Sequence, residues 1–104
     1  NITNFSIKKP LFTSNIESNV WHLYVVRCSN KNKLKSYLEN HHVQTLIHYP
    51  IPPHKQEAFK SILPLTSLPI TEGIHEQCLS LPMGPHLKDN EVSYVIDIVN
   101  KFKL

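Results

Sequence analysis

The chain has 104 residues, of which 40% are hydrophobic and 18% charged, so it is long enough for one globular domain with a single core. It contains only two glycines, Gly73 and Gly84, which excludes the glycine-rich phosphate loops of self-contained dinucleotide or P-loop sites. The formal net charge is +3. Basic residues gather only at Lys31, Lys33 and Lys35, a pattern typical of a solvated helix face and not of a nucleic-acid groove.

The two cysteines, Cys28 and Cys78, are too few and too far apart for a disulfide framework. We therefore expect reduced, buried thiols in a cytoplasmic protein. No run of residues approaches the ~18 apolar positions of a membrane span, and no signal peptide begins at Asn1. The sequence starts without Met, which suggests a fragment or a processed chain.

The first 19 residues show neither helical nor strand periodicity and include a polar cluster between positions 13 and 19. Such a stretch is typical of an extended connection, so we predict a lead-in or linker over 1–19 and a domain over 20–104. Within that domain, β-branched and aromatic residues alternate from 21 to 27. This alternation predicts a first strand that is covered on both faces.

A helix is predicted over 31–41, because Leu34 and Leu38 lie on one apolar stripe of an otherwise polar segment. Ser29 or Asn30 is placed to cap its amino-terminal end. A second strand is predicted over 43–49. It ends at three prolines, Pro50, Pro52 and Pro53, because proline has no amide hydrogen for a sheet and restricts the residue before it.

The rest of the chain is predicted to form two short helices, then a brief strand, and finally a longer helix. A short helix is expected over 54–62, with a buried side formed by Ala58, Phe59 and Ile62. Pro64 interrupts the chain, and Pro69 suits the first turn of a helix that runs to about Gln77. A third strand follows over 78–81, and Asp89 and Glu91 favour the start of the last helix. The apolar residues of that helix recur at helical spacing: Val92, Val95, Ile96, Val99 and Phe102.

This order of elements predicts an α+β fold, with a small, mostly antiparallel three-stranded sheet covered by helices. Seven histidines invite a metal hypothesis, but none lies at a familiar zinc-ligand spacing to cysteine or carboxylate. The cysteines lie in or beside apolar strands, where a thiol is more often packing than a nucleophile. The pattern therefore favours neither a metal centre nor a nucleophile–base pair.

The segment 46–54, LIHYPIPPH, is the most distinctive part of the sequence. His48 and Tyr49 lie at the end of the predicted apolar strand, and the prolines that follow restrict the backbone up to His54. A stiff loop loses little entropy when it binds, so His48, Tyr49 and His54 are candidate substrate-binding residues. The alternative is a structural connection whose polar side chains are satisfied by the backbone.

At these residues the chain resembles the C-terminal small domain of the DegT/DnrJ/StrS-type sugar aminotransferases, pyridoxal-phosphate enzymes of fold type I. The matching pieces come in the family's order: 21–26 (WHLYVV), 34–42, 44–50 (QTLIHYP), 78–82 (CLSLP) and 91–102. The later segment 80–86, SLPMGPH, adds a likeness to members that act at the third carbon of nucleotide-linked keto-deoxysugars.

The resemblance implies transfer of an amino group from an amino acid, commonly glutamate, to a keto group of a nucleotide sugar. It places His48 and Tyr49, and then His54, at the sugar-nucleotide side of the cleft of a homodimer. The pathway implied is surface polysaccharide formation, such as the O-antigen of lipopolysaccharide, or a glycosylated natural product. The cofactor-bearing lysine and the pyridoxal phosphate contacts belong to a larger domain that this chain lacks. No catalytic or cofactor-binding residue is therefore assigned here, and the fragment alone is expected to be inactive.

Two other function classes compete with this interpretation. A stand-alone module that binds RNA would suit a small basic α+β domain, but no aromatic pair here is flanked by basic residues. A regulatory ligand-binding domain without catalysis is the second alternative. No membrane partner is expected.

Overall fold

The computed structural model describes residues 1–11, 19–63 and 66–104. Two 3-10 turns, Pro53–Lys55 and Glu57–Phe59, lie between the first and second helices. The regular elements are β1 (Tyr24–Arg27), α1 (Lys31–Asn40), α2 (Pro69–Gln77), β2 (Cys78–Leu81) and α3 (Asp89–Lys101). The α+β class is confirmed. The part of the polar cluster up to residue 18 and the predicted break at Pro64 lie outside the described residues.

The two strands β1 and β2 form an antiparallel pair at the centre of the molecule. Their middle residues Val26 and Leu79 face each other in register and are both 0% exposed. Burying each such side chain contributes roughly 1.5–3 kcal/mol. The first strand is shorter than the predicted 21–27, since it begins at Tyr24, and Trp21 lies outside it.

The prediction of a three-stranded sheet is not confirmed in the described part of the chain. The segment 43–49 forms a single bridge, in which Leu46 and Ser80 exchange backbone hydrogen bonds of 3.3 and 2.8 Å. Continued pairing would need further amide donors in register, and the three prolines that follow supply none. The predicted strand is therefore a short extended segment attached to β2 at one point.

The helix α1 forms because its start is capped and one side is apolar. Oδ1 of Asn30 accepts a hydrogen bond from the Lys33 amide at 3.0 Å, so the predicted cap is confirmed at Asn30. Leu34 and Leu38 are 0% exposed and pack in the core. The helix ends at Asn40.

The amino-terminal residues pack against the rest of the domain, although their sequence predicts a linker. Ile2 and Ile7 are buried in the core, and Lys8 exchanges backbone hydrogen bonds of 2.8 and 2.9 Å with Arg27. Nδ2 of Asn4 donates to the carbonyls of Val99 and Phe102, each at 2.8 Å. These contacts are between residues far apart in sequence. A search for local periodicity therefore misses them.

The short helix predicted over 54–62 is wrong, because the structure has the two 3-10 turns there. Its predicted buried side, Ala58, Phe59 and Ile62, is exposed, and Ile62 is 70% exposed. Helix nucleation is costly, and so short a segment needs packing to repay that cost. The buried residue of this region is instead His54.

The helix α3 is confirmed, and one position of its predicted buried stripe is wrong. Val99 and Phe102 are buried, and Val95 and Ile96 pack partly against the core. Val92 is 41% exposed because it lies in the first turn, at the edge of the core, whereas Ile98 is buried without having been predicted. Phe102 caps the helix, and its ring lies 5.3 Å from that of Tyr37.

Cys28 and Cys78 are both buried and free, as the sequence predicts. Among the helices in the described ranges, none combines the length and the apolar character that a membrane crossing requires.

Candidate functional site

An open cleft of about 760 Å³ lies where the segment 43–48 meets the end of β2. We call it the Ser80 cleft. Its lining comprises Leu23, Glu39, His42, Val43, Gln44, Thr45, Leu46, His48, Ser80, Leu81, Pro82, Met83 and His86. The exchange of backbone hydrogen bonds between Leu46 and Ser80 joins its two walls. Of the three predicted substrate-binding residues, only His48 lines this cleft. Concave surfaces are the usual form of ligand sites.

His48 lines the Ser80 cleft and has a fixed ring orientation. Its Nδ1 lies 2.9 Å from Oγ of Ser80, within hydrogen-bond distance. Ser80 is itself only 5% exposed and is held in β2, so its hydroxyl has little freedom. The second ring nitrogen of His48 has no hydrogen-bond partner in the part of the chain that the structure describes.

Tyr49 lies next to His48, outside the lining of the cleft. The two rings meet edge to face, with centroids 5.5 Å apart and planes at 90°, and the peptide bond between the residues is cis. The phenol side chain is largely exposed, since Tyr49 as a whole is 63% exposed. Its backbone carbonyl accepts a hydrogen bond from Nδ1 of His75 at 2.6 Å, which attaches the loop to α2. The structure therefore brings two of the three predicted site residues together.

His54, the third predicted site residue, is buried and does not line the cleft. Its Nε2 donates a hydrogen bond of 3.1 Å to Oε1 of Glu72, in the first turn of α2. Its Nδ1 is buried without a hydrogen-bond partner among the described residues. In this arrangement His54 connects the first 3-10 turn to α2 and presents no polar atom to solvent.

The carboxylate of Glu72 receives three hydrogen bonds. Lys55 donates one of 2.6 Å, and the backbone amide of Leu68 and Nε2 of His54 donate the others. These hydrogen bonds lower the pKa of Glu72 from 4.5 to about 2. The bond from Lys55 contributes most to this shift, followed by the Leu68 amide and then His54. Glu72 therefore stays ionised at neutral pH. Its carboxylate holds the 3-10 turn Pro53–Lys55 against α2 through His54 and Lys55.

Ser80, Thr45, His42 and His86 also line the cleft, and the sequence alone does not predict a role for any of them. Ser80 looks like an ordinary strand residue until its pairing with Leu46 is known. Gly84 gives one local signal, because a Cβ at this position would lie 2.5 Å from Cε1 of His86. A larger residue would displace the His86 ring from its place at the cleft.

Metal binding receives no support from the side-chain arrangement. Within residues 1–11, 19–63 and 66–104, no three His, Cys, Asp or Glu side chains are grouped so that they could hold a metal ion.

Comparison with known proteins places the chain in a family. The model of the DegT/DnrJ/EryC1/StrS aminotransferase family matches residues 2–100. The chain belongs to that family. The dTDP-3-amino-3,6-dideoxy-alpha-D-galactopyranose transaminase of Aneurinibacillus thermoaerophilus is 44% identical over 101 residues, which are 97% of this chain and 27% of that protein. The Erythromycin biosynthesis sensory transduction protein EryC1 of Saccharopolyspora erythraea is 46% identical over 77 residues, 73% of this chain and 21% of that protein.

A solved structure has the same fold as this chain. S. venezuelae DesV, in complex with a ketimine intermediate, superposes with a TM-score of 0.83 and 37% identity, over 92% of this chain and 26% of that chain. The present chain thus spans about a quarter of the length of the proteins it matches.

The residues of the Ser80 cleft do not fit pyridoxal phosphate, the cofactor that the family resemblance implies. Pyridoxal-phosphate enzymes hold the cofactor through a lysine and need donors for its phosphate. None of the cleft's lining residues, all of which are described, is lysine or arginine. The cleft therefore has neither the lysine nor an arginine that could hold the cofactor.

Proposed function

We propose that this chain is the small-domain part of a pyridoxal-phosphate-dependent sugar aminotransferase. The complete enzyme transfers an amino group from an amino acid, glutamate by the family resemblance, to a keto group of a nucleotide-linked deoxysugar. The observation that carries this proposal is 44% identity to a named sugar transaminase over 97% of the chain. The chain spans about a quarter of that relative, so the whole activity needs residues outside it.

The cofactor supplies an electron sink for the amino-transfer chemistry and is held by the remaining part of the enzyme. The present chain contributes a wall of the substrate site. His48 offers a ring nitrogen to the sugar nucleotide, and the adjacent Tyr49 offers an exposed phenol. The carboxylate of Glu72 holds His54 away from solvent. We infer that His54 supports substrate binding indirectly, by fixing the turn that follows Tyr49.

The direct test compares the full-length enzyme with the 104-residue chain. Full-length protein loaded with pyridoxal phosphate should convert a dTDP-linked 3-keto-6-deoxyhexose to the amino sugar with L-glutamate as donor. The 104-residue chain under the same conditions should give no product. Product formation by the chain alone would refute its assignment as a non-catalytic part, and an inactive full-length enzyme would refute the proposed reaction.

A regulatory function is the second candidate, since one matched relative has the name of a sensory transduction protein. The same assay separates the two functions. A regulatory member would bind the sugar nucleotide without turning it over, whereas the enzyme would release the keto acid made from glutamate. The full-length protein would be loaded with cofactor before either measurement, so that loss of cofactor does not imitate a regulatory function.

A further inference from the structure

The helix α2 is attached to the domain by polar contacts and not by apolar burial. The structure describes all nine of its residues, and none of them is buried. At its carboxyl-terminal end, Oε1 of Gln77 accepts hydrogen bonds of 2.9 and 3.2 Å from the guanidinium of Arg27. The carbonyl of His75 accepts a bond of 2.8 Å from Nζ of Lys31. These bonds join α2 to the end of β1 and the start of α1, so the helix has a fixed place in the domain.

One side of α2 contacts the loop that follows Tyr49 at two points. At the far end of the loop, Glu72 accepts bonds from His54 at 3.1 Å and from Lys55 at 2.6 Å. At the near end, Nδ1 of His75 donates to the carbonyl of Tyr49 at 2.6 Å. Residues three positions apart lie on the same side of a helix, as Glu72 and His75 do. One side of α2 therefore holds both ends of the loop.

The residues between these two points depend on them for their position. We call residues 50–53 the proline segment. Three of its four residues are prolines, which have no amide hydrogen, so the segment can form few backbone hydrogen bonds of its own. The remaining residue, Ile51, is 52% exposed, so burial of its side chain does not fix the segment either. The attachments to α2 are the contacts that do.

The bond from His75 also bears directly on Tyr49. Its acceptor is the carbonyl of Tyr49 itself, so the bond restricts rotation of the peptide unit that follows this residue. The side chain is largely exposed and has a ring contact with His48. An exposed side chain takes its position mainly from its backbone. A change at His75 should therefore move the phenol of Tyr49.

We propose, on the basis of the function proposed above, that Glu72 and His75 are positioning residues of the aminotransferase. Together they clamp the proline segment against α2 and determine where Tyr49 lies beside the substrate. Neither side chain lines the Ser80 cleft, and neither touches the substrate. Both act through the backbone of the loop.

The first experiment measures the mobility of the proline segment in the full-length enzyme without substrate. A nitroxide attached through Ile51→Cys, at an exposed position, reports this mobility by electron paramagnetic resonance. His75→Ala should shift the spectrum towards fast motion, because the donor to Tyr49 is lost. His75→Asn should restore slow motion, because an asparagine amide can donate from nearly the position of Nδ1. Enzyme without Ile51→Cys gives the background signal of other cysteines.

The same measurement tests the second point of the clamp. Glu72→Ala should also shift the spectrum towards fast motion, because it releases the far end of the loop. Glu76→Ala, at an exposed residue of the same helix, is the matched control and should leave the spectrum unchanged. A wild-type spectrum in His75→Ala would refute the clamp, whatever the activity of the enzyme.

The second experiment tests the positioning role by kinetics. His75→Ala should raise the KM for the keto-sugar nucleotide about five- to tenfold, the usual effect of one hydrogen bond, and should change kcat less. The amino-donor half-reaction should be unchanged, and His75→Asn should recover the KM. An unchanged KM in an enzyme whose proline segment has become mobile would overturn the positioning role. Equal damage to both half-reactions would show a general structural effect and contradict it as well.

This proposal and the proposed function can fail separately. A full-length enzyme that does not transaminate, but whose nitroxide spectrum responds to His75→Ala as described, would refute the proposed function and leave the clamp. An enzyme that transaminates, and whose spectrum is the same in wild type, His75→Ala and Glu72→Ala, would refute the clamp alone.

Discussion

Glu72 accepts a hydrogen bond of 3.1 Å from Nε2 of His54, a residue that precedes it by 18 positions in the sequence. The same carboxylate accepts a bond from Lys55, so one side chain of α2 binds two neighbouring residues of a 3-10 turn. The turn follows the proline segment directly. The position of the loop after Tyr49 therefore depends on Glu72.

The first prediction concerns the pH dependence of stability. The pKa of Glu72 is lowered from 4.5 to about 2, first by the Lys55 hydrogen bond. A carboxylate with a lowered folded-state pKa stabilises the fold above its unfolded pKa, and this contribution is lost as pH falls. Urea denaturation should show that Glu72→Gln removes part of the stability at pH 6 and little of it at pH 2. Glu76→Gln, on the same helix, is the control. A constant difference between wild type and Glu72→Gln across this range would contradict the linkage.

The second prediction concerns the carboxyl-terminal end of the core. Phe102 is 4% exposed and contacts Tyr37, so Phe102→Ala should destabilise the fold by about 3–5 kcal/mol. Val92 is 41% exposed, and Val92→Ala should cost less than about 1 kcal/mol. Chemical denaturation of the two variants is the measurement. Similar losses in both would mean that the whole stripe of α3 is buried.

The third prediction concerns the amino-terminal segment. Nδ2 of Asn4 donates to two carbonyls at the end of α3, so Asn4→Ala should cost about 1–3 kcal/mol. Thr3→Ala is the matched control, because Thr3 is exposed and bonds Asn100 through its backbone. Amide hydrogen exchange should show faster exchange over residues 1–8 in the Asn4 variant only. Unchanged protection there would show that Asn4 does not hold the segment.

The fourth prediction concerns substrate binding in the full-length enzyme. His48→Ala removes the ring that Ser80 orients, and Tyr49→Phe removes an exposed hydroxyl. If either group bonds a charged part of the sugar nucleotide, affinity should fall about ten- to a hundredfold, which corresponds to roughly 1.5–3 kcal/mol. Single-turnover kinetics should show the loss in the keto-sugar half-reaction and not in the amino-donor half-reaction. Stable variants with wild-type kinetics would exclude both residues from recognition.

Local signals in the sequence predict local features of the fold. Asn30 caps α1 through a bond to a residue three positions later, and Leu34 and Leu38 fall on one face of the same helix. Such relationships are visible in a short window. The end of the segment at His48 and Tyr49 is likewise predicted, because prolines follow it directly.

Relationships between distant residues are not visible in that way. Ser80 bonds His48 across 32 positions, and Asn4 bonds Val99 across 95. The apolar residues over 58–62 have a helical pattern, yet the described residues supply no surface that buries them. The sequence therefore does not predict the environment of a residue when that environment depends on which helices and strands pack against each other. The burial of His54 is of this kind, since its partner Glu72 belongs to another helix.

The contacts of Asn100 have a mechanical consequence. Its Nδ2 donates to the carbonyl of Asn1 and its Oδ1 accepts from the amide of Thr3, so residues 1–3 lie beside the end of α3. A force that pulls the ends apart loads these few hydrogen bonds first. It would then peel residues 1–8 away from α3 one contact at a time, up to the bridge between Lys8 and Arg27. The β1–β2 pair would be loaded only after that bridge breaks, so tension applied between residues 1 and 104 should open the structure in two steps.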